Sequence, residues 1–383
     1  MSYLKSVLFA SILLFLVSGA GVYAQSYNLL IGTYTSGGKS EGIYVYDFNL
    51  KTGAFKHKST AKGITNPSYL AISKSRKKVY SVSEAGKGKG GISAFNFDPV
   101  SGELTFINSV SSGGDGPCYV EVDDKDQYVF SGNYGGGTLG AIRVNADGSL
   151  NGEVQSIKHE GSSVNKDNQS KPHVHCTVLS PDNNYLMVAD LGTDKVHTYR
   201  FSHTGSEPLS PSEPAYVSTK PGAGPRHLTF HPNGKFAYVV NELDGSVNAF
   251  GYHDGKLTSI QTITMLKPGF SGTIEGADIH CSPDGKFLYA SNREISNEIV
   301  IYSIAKNGSL TFVGRQSTLG KAPRNFAIDP SGKFLLCANQ NTDEIVLFKR
   351  NFKTGLLTDT GKRIAVGRPV CLKFVAGFDF HDK

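Results

Sequence analysis

The chain has 383 residues, of which 19% are charged, 10% are aromatic and 44 are glycine, and its formal charge is +6. This profile excludes a helical bundle or coiled coil, which would need long Ala/Glu/Lys/Leu stretches, and points to many short strands joined by tight turns. The basic excess is spread along the chain without a block interleaved with aromatics, which argues against nucleic acid and supports at most a preference for anionic small molecules.

In chain order the first element is an export signal. Lys5 supplies positive charge, residues 7–17 are apolar apart from Ser11, and Val22 and Ala24 stand at the positions a signal peptidase reads. The apolar run is too short for a permanent span. The reading is a signal peptide over 1–24, a mature chain from Gln25 with no membrane span, and a periplasmic or extracellular location. Three strands follow, over 28–31, 42–48 and 54–60.

One phrase then recurs: Ser180-Pro181-Asp182, His231-Pro232-Asn233-Gly234, Ser282-Pro283-Asp284-Gly285 and Asp329-Pro330-Ser331-Gly332. Each reads as a tight turn between two short strands. Seven residues earlier lies a strand start, at Val174, Pro225, Gly276 and Pro323. Pro67 and Pro117 keep the spacing before weaker turns, and Pro369 opens the last strand. The intervals are 50, 57, 51, 51, 47 and 46 residues. A second phrase marks the outermost strand: Thr52-Gly53, Ser101-Gly102, Asp147-Gly148, Asp254-Gly255, Asn307-Gly308 and Thr354-Gly355, with Thr204-Gly205 as a degraded copy. Both phrases count to seven. The last strand lacks three partners, and the three N-terminal strands lack an inner one. The expected fold is all-β: one seven-bladed β-propeller over 25–383, its last blade closed by the C-terminal inner strand and the N-terminal outer three.

The five cysteines, Cys118, Cys176, Cys281, Cys337 and Cys371, are odd in number and sit in apolar β-like segments, so they read as buried free thiols. No Cys-x-x-Cys is present.

The inner strand of each blade starts at the ligand face of a propeller, and the second strand returns to it. The residue after each strand start therefore lines the central funnel: Ser68, Cys118, His175, Arg226, Ala277, Arg324 and Val370. So does the residue seventeen after each start: Glu84, Tyr134, Leu191, Glu242, Arg293 and Gln340, with Tyr34 or Thr35 from the closing blade. Ionisable groups concentrate on neighbouring blades three to five, at His175, Arg226, Glu242 and Arg293, with Asp278, His280 and Asp190 nearby. A Glu or His there can deprotonate water, and an Arg can bind an anion or a developing oxyanion. The bland alternative is that Arg226 and Glu242 pair and merely close the channel mouth. A metal held by His175, His280, Asp278 and Glu242 is disfavoured, since two arginines repel a cation and calcium wants several oxygen ligands. His173, two residues before His175 on a strand, points to the same side. His159, His197, His203, His253 and His381 show no partner and read as surface or structural.

Several segments together resemble the propeller-type 6-phosphogluconolactonases: Gly32-Thr33-Tyr34-Thr35, Gly132-Asn133-Tyr134, Pro172-His173-Val174-His175, Ala189-Asp190-Leu191-Gly192, Gly224-Pro225-Arg226-His227, Val240-Asn241-Glu242-Leu243 and Asp278-Ile279-His280 with Asn292-Arg293. The sequence is also similar to the related fungal enzymes that interconvert a carboxymuconate and its lactone. The resemblance covers essentially the whole mature chain. It implies a lactone hydrolase without cofactor or metal, acting on a small, anionic lactone. It also implies a His, two Arg and a Glu as catalytic groups, which match His175, Arg226, Arg293 and Glu242. Tyr134, Asn133, His173, Asp190, Asp278, His280 and Arg324 are expected to shape the substrate pocket. An exported member is expected to use an unphosphorylated aldonolactone or another lactone, because 6-phosphogluconolactone is made inside the cell. The competing readings are a non-catalytic propeller that binds a glycan or protein, and a lactonizing activity on muconate-type acids.

Overall fold

The computed structural model describes residues 26–377 except Lys87. The signal segment and His381 lie outside the described residues. Within them the chain forms seven four-stranded antiparallel sheets and one short 3₁₀ turn, Gln340–Thr342. No helix among the described residues is long and apolar enough to cross a membrane. The sheets are the blades, each running inner to outer in sequence order except the last. There Pro369–Ala376 is innermost and pairs with Ser26–Thr33, which is followed outward by Gly42–Asn49 and Phe55–Lys62.

The recurring phrases have physical causes. Nine residues after each of the first six strand starts the backbone is left-handed, at Arg76, Asp126, Asn183, Gly234, Gly285 and Gly332. Gly meets that demand without strain, and Asn or Asp with little, so the turn survives in its weaker copies. The second phrase is an interlock between blades. Tyr238 donates to Gly308 O at 3.0 Å and Tyr289 to Gly355 O at 2.7 Å, each reaching into the next blade. Gly308 has φ +83°, and a Cβ there would fall 2.4 Å from the Phe236 ring. Backbone conformation and close approach both require glycine. Buried strands rich in Val, Ile, Tyr and Phe fill the seams between blades. All five cysteines are free; Cys281 is half-buried and the others are buried.

Inner strands begin at Pro117, Val174, Pro225, Gly276, Pro323 and Pro369, as the spacing predicts, while the first inner strand is shorter, Leu70–Ile72. A β-bulge sits at each of the six regular starts. In blade four Pro225 opposes Asn241 and His227 opposes Val240, so Arg226 is the extra residue. The same shift leaves Cys118, His175, Arg324 and Val370 as extra residues, and inserts one in the Ala277–Asp278 stretch. A bulge releases a residue from the ladder and re-aims its side chain. The funnel ring is therefore a ring of bulges.

Candidate active site

Five bulge residues, Cys118, His175, Arg226, Arg324 and Val370, line one small, tight cavity at the inner-strand starts, with Ser68, Tyr69, Glu84 and His227. Larger surface hollows lie elsewhere, for example beside Lys62, Lys89 and Phe106, but they contain no comparable set of chemical groups.

Glu242 is the hub beside this cavity. Its Oε2 accepts from Arg226 Nε at 2.7 Å and lies 3.0 Å from Arg293 Nη2. The second contact is an ion pair without hydrogen-bond alignment, which leaves that buried Nη2 with no acceptor in line. Burial pushes the Glu242 carboxyl up, but Arg293, Arg226 and Arg324 outweigh it and hold it below the usual carboxylate range. Burial acts the other way on Arg293, lowering it to about 10 despite Glu242. Arg293 Nη1 also lies 3.4 Å from Glu275.

Arg226 is fixed on three sides. Besides Glu242, its Nη1 donates to Ala277 O at 2.5 Å and meets His227 Nε2 at 3.2 Å. His227 Nδ1 bonds Asp278 Oδ1 at 2.8 Å, and His280 Nε2 and Asn325 Nδ2 bond Oδ2 at 2.9 and 2.5 Å. Burial raises the Asp278 carboxyl, yet His280 and His227 outweigh it and hold it well below normal. Burial and Arg226 press His227 down to about 4.

Two groups in the cavity keep free valences. Burial first, then Arg226, His227 and Arg324, keep His175 neutral, well below its ordinary value. Its Nδ1 lies 3.9 Å from Cys118 Sγ, and its Nε2 has no hydrogen-bond partner among the described residues. The Arg324 guanidinium forms no hydrogen bond or ion pair among the described residues. It lies 5.5 Å from the Tyr34 ring, whose hydroxyl donates to Glu84 at 2.9 Å. Ser68 Oγ donates to the same carboxylate. Cys118 is no nucleophile here, since burial drives its thiol far up.

The family model for the seven-bladed β-propeller lactonases matches residues 28–374. The chain belongs to this lactonase family. It is 38% identical over 348 residues to a 6-phosphogluconolactonase of Bacillus subtilis, covering 90% of this chain and 97% of the relative. It is 38% identical over 304 residues to a 6-phosphogluconolactonase of Formosa agariphila, covering 79% and 86%. The solved structure of a Pseudomonas aeruginosa periplasmic gluconolactonase aligns with TM-score 0.87 and 40% identity, covering 92% of this chain and 99% of that one. Both relatives bear the name of a lactone hydrolase, and the expectation of such an enzyme holds.

Within the lactonase funnel the structure brings together His175, Arg226, Glu242 and Arg293, the four residues chosen by spacing, with Arg324 as a fifth. Tyr134 stacks on His173 at 4.3 Å and meets His175 edge-on at 5.6 Å, so this pair walls the site. Other expectations need correction. Asn133 is buried and turns outward to Ser112 O and Thr138. Asp190 also turns away from the funnel and bonds His159. Asp278 and His280 lie behind Arg226 and do not line the cavity. Of the surface and structural readings, His159 and His197 take the structural one, with buried Asp190 as the partner that the sequence did not show. His203 lies 3.5 Å from Asp123, while His253 is exposed as expected. The sequence reading missed His227, which props Arg226. It also left Ser68, Tyr34 and Glu84 unassigned although they stood on the ring map.

Proposed function

We propose that this chain hydrolyses a sugar δ-lactone to the open-chain acid, without a metal, after export to the periplasm or beyond. The observation that carries the reading is the single cavity shared by neutral His175 and the guanidiniums of Arg226 and Arg324. Arg226 and Arg324 receive the lactone carbonyl and stabilise the oxyanion that forms there. His175 Nε2 takes a proton from water as the water oxygen bonds to the carbonyl carbon. The tetrahedral intermediate collapses with cleavage of the ring C–O bond, and the imidazolium returns the proton to the leaving alkoxide. Glu242 is a poor base, since two arginines stabilise its anion, and its role is to hold Arg226 and Arg293 in place. The carboxylate of Glu84 suits a substrate hydroxyl. Three guanidiniums supply the positive charge that a metal provides in other hydrolases.

The Pseudomonas aeruginosa neighbour, a periplasmic gluconolactonase, and the leader-like N-terminus both favour an unphosphorylated aldonolactone over a phosphorylated one. The test is acid release from a panel of lactones, phosphorylated and not, measured against spontaneous hydrolysis in the presence of chelator. Acceleration of the unphosphorylated aldonolactones, lost in His175→Gln, is expected. No acceleration of any lactone would refute the reading.

A further inference from the structure

The passage from blade two to blade three is the longest in the molecule, 57 residues between strand starts against 46–51 elsewhere. Its base holds a set of groups that the lactonase reading does not use. His159, just beyond the outer strand Leu150–Lys158, meets Asp190 at the end of Tyr185–Asp190 and His197 in Lys195–Phe201. His159 Nδ1 is 2.9 Å from Asp190 Oδ2, both side chains being essentially buried. One ligand atom from each of the three residues lies within 4.8 Å of the others.

Two observations point from this cluster to a ligand. His197 Nε2 is fully buried and has no hydrogen-bond partner, an omission that costs free energy unless something fills it. The remaining valences are already committed in the pattern of a metal site. Asp190 Oδ1 accepts from the backbone N–H groups of His173 at 2.8 Å and Gly192 at 3.0 Å, leaving Oδ2 to the cluster. His159 Nε2 is held by Tyr199 Oη at 3.0 Å. A tyrosine hydroxyl both donates and accepts, so either tautomer of His159 is satisfied, including the one with a bare Nδ1.

We propose that His159 Nδ1, Asp190 Oδ2 and His197 Nε2 form a site for a zinc-class divalent transition-metal ion, with water as fourth ligand. Two imidazoles and one carboxylate suit tetrahedral zinc, whose ligand atoms at about 2.0–2.1 Å from the ion lie about 3.3 Å apart. To reach that spacing His159 Nδ1 and Asp190 Oδ2, now 2.9 Å apart, open slightly, with a rotation of the two imidazole rings, whose centroids are now 4.1 Å apart and tilted at 44°. The ion would staple the crossing to blade three. Through Asp190 Oδ1 it would fix the backbone at His173, two residues before His175. It lies outside the funnel and takes no part in hydrolysis, so the proposal does not depend on the substrate.

The test titrates chelator-stripped full-length protein with ZnCl₂ by calorimetry and with CoCl₂ by visible absorption. Expected are one equivalent of zinc bound, a raised Tm, and intense tetrahedral cobalt bands. In His197→Ala and His197→Gln the affinity should fall at least tenfold. In His203→Ala, which alters the other carboxylate–histidine cluster with Asp123 and Asp124, binding should persist. Unaltered binding in the His197 variants, loss only in His203→Ala, or no saturable binding to the wild type would overturn the site. The cobalt spectrum of the wild type is decisive even if both variants fold poorly, since weak octahedral bands or none would refute it.

Discussion

Replacing Glu242 by Gln separates the two roles the hub can play. The substitution keeps size and one acceptor oxygen but removes the negative charge shared by Arg226 and Arg293, at 2.7 and 3.0 Å. At an effective dielectric near 20, opposite charges centred about 4 Å apart attract by about 4 kcal/mol. The Glu242 side chain is only 18% exposed, and removing one partner of a buried pair costs about 3–5 kcal/mol. Two guanidiniums would then repel one another beside the cavity. Arg226 would drift from its aligned position, and a displacement of about 1 Å costs on the order of 10²-fold in rate. The assay is lactone hydrolysis from acid to neutral pH, corrected for background, together with a urea midpoint. If His175 is the base, kcat/KM falls as pH drops through its depressed pKa, and Glu242→Gln keeps that acid limb at a lower plateau. His175→Gln should lose the limb and about 10²–10⁴-fold in kcat. A limb absent in Glu242→Gln and retained in His175→Gln would make Glu242 the base and refute the assignment.

Arg324→Ala should lower kcat by about 10–100-fold with a smaller rise in KM, because a charged hydrogen bond to the developing oxyanion contributes about 1.5–3 kcal/mol. Equal kinetics on the same lactones would remove Arg324 from the site. Acid should destabilise the fold before carboxylates titrate. His227 is neutral in the native state down to about pH 4, whereas the unfolded chain protonates its histidines near pH 6.5. Its contribution is present above the unfolded value and is lost as pH falls towards the folded one, on the order of 3 kcal/mol in all. Urea midpoints against pH should show a shallower slope over that window in His227→Gln, and an unchanged slope would contradict this. Deleting residues 369–383 should leave Leu29 and Ile31 on an unpaired edge and produce aggregation on gel filtration, whereas a soluble monomer would show that closure is dispensable.

The fold was legible because its punctuation is local. A left-handed turn residue and a glycine under a neighbour's ring are single-position demands, and each leaves its mark in every repeat. The seventeen-residue offset carried the same regularity to Glu242 and Arg293. The spacing of Arg226 was visible, but its support was not. His227 is its chain neighbour, yet it acts through Asp278, fifty-one residues away on the next inner strand. Asp190 looked like a funnel residue because it ends a strand at the right face. Its orientation is set by His159, which arrives from another blade by an irregular crossing without a repeat to index it. Contacts between copies of the repeat were readable, and contacts made by departures from it were not.

The bulges at the strand starts have a consequence for how such a protein can change. A residue outside the ladder holds no sheet together, so its identity is nearly free of the architecture. Around this ring the slots are filled by Cys118, His175, Arg226, Ala277, Arg324 and Val370, five side-chain chemistries on one backbone solution. Specificity can therefore drift slot by slot while the scaffold stays still. Substitutions at Cys118, Ala277 and Val370, which hold no charge, are the places where a new substrate preference could be selected without first rebuilding the protein.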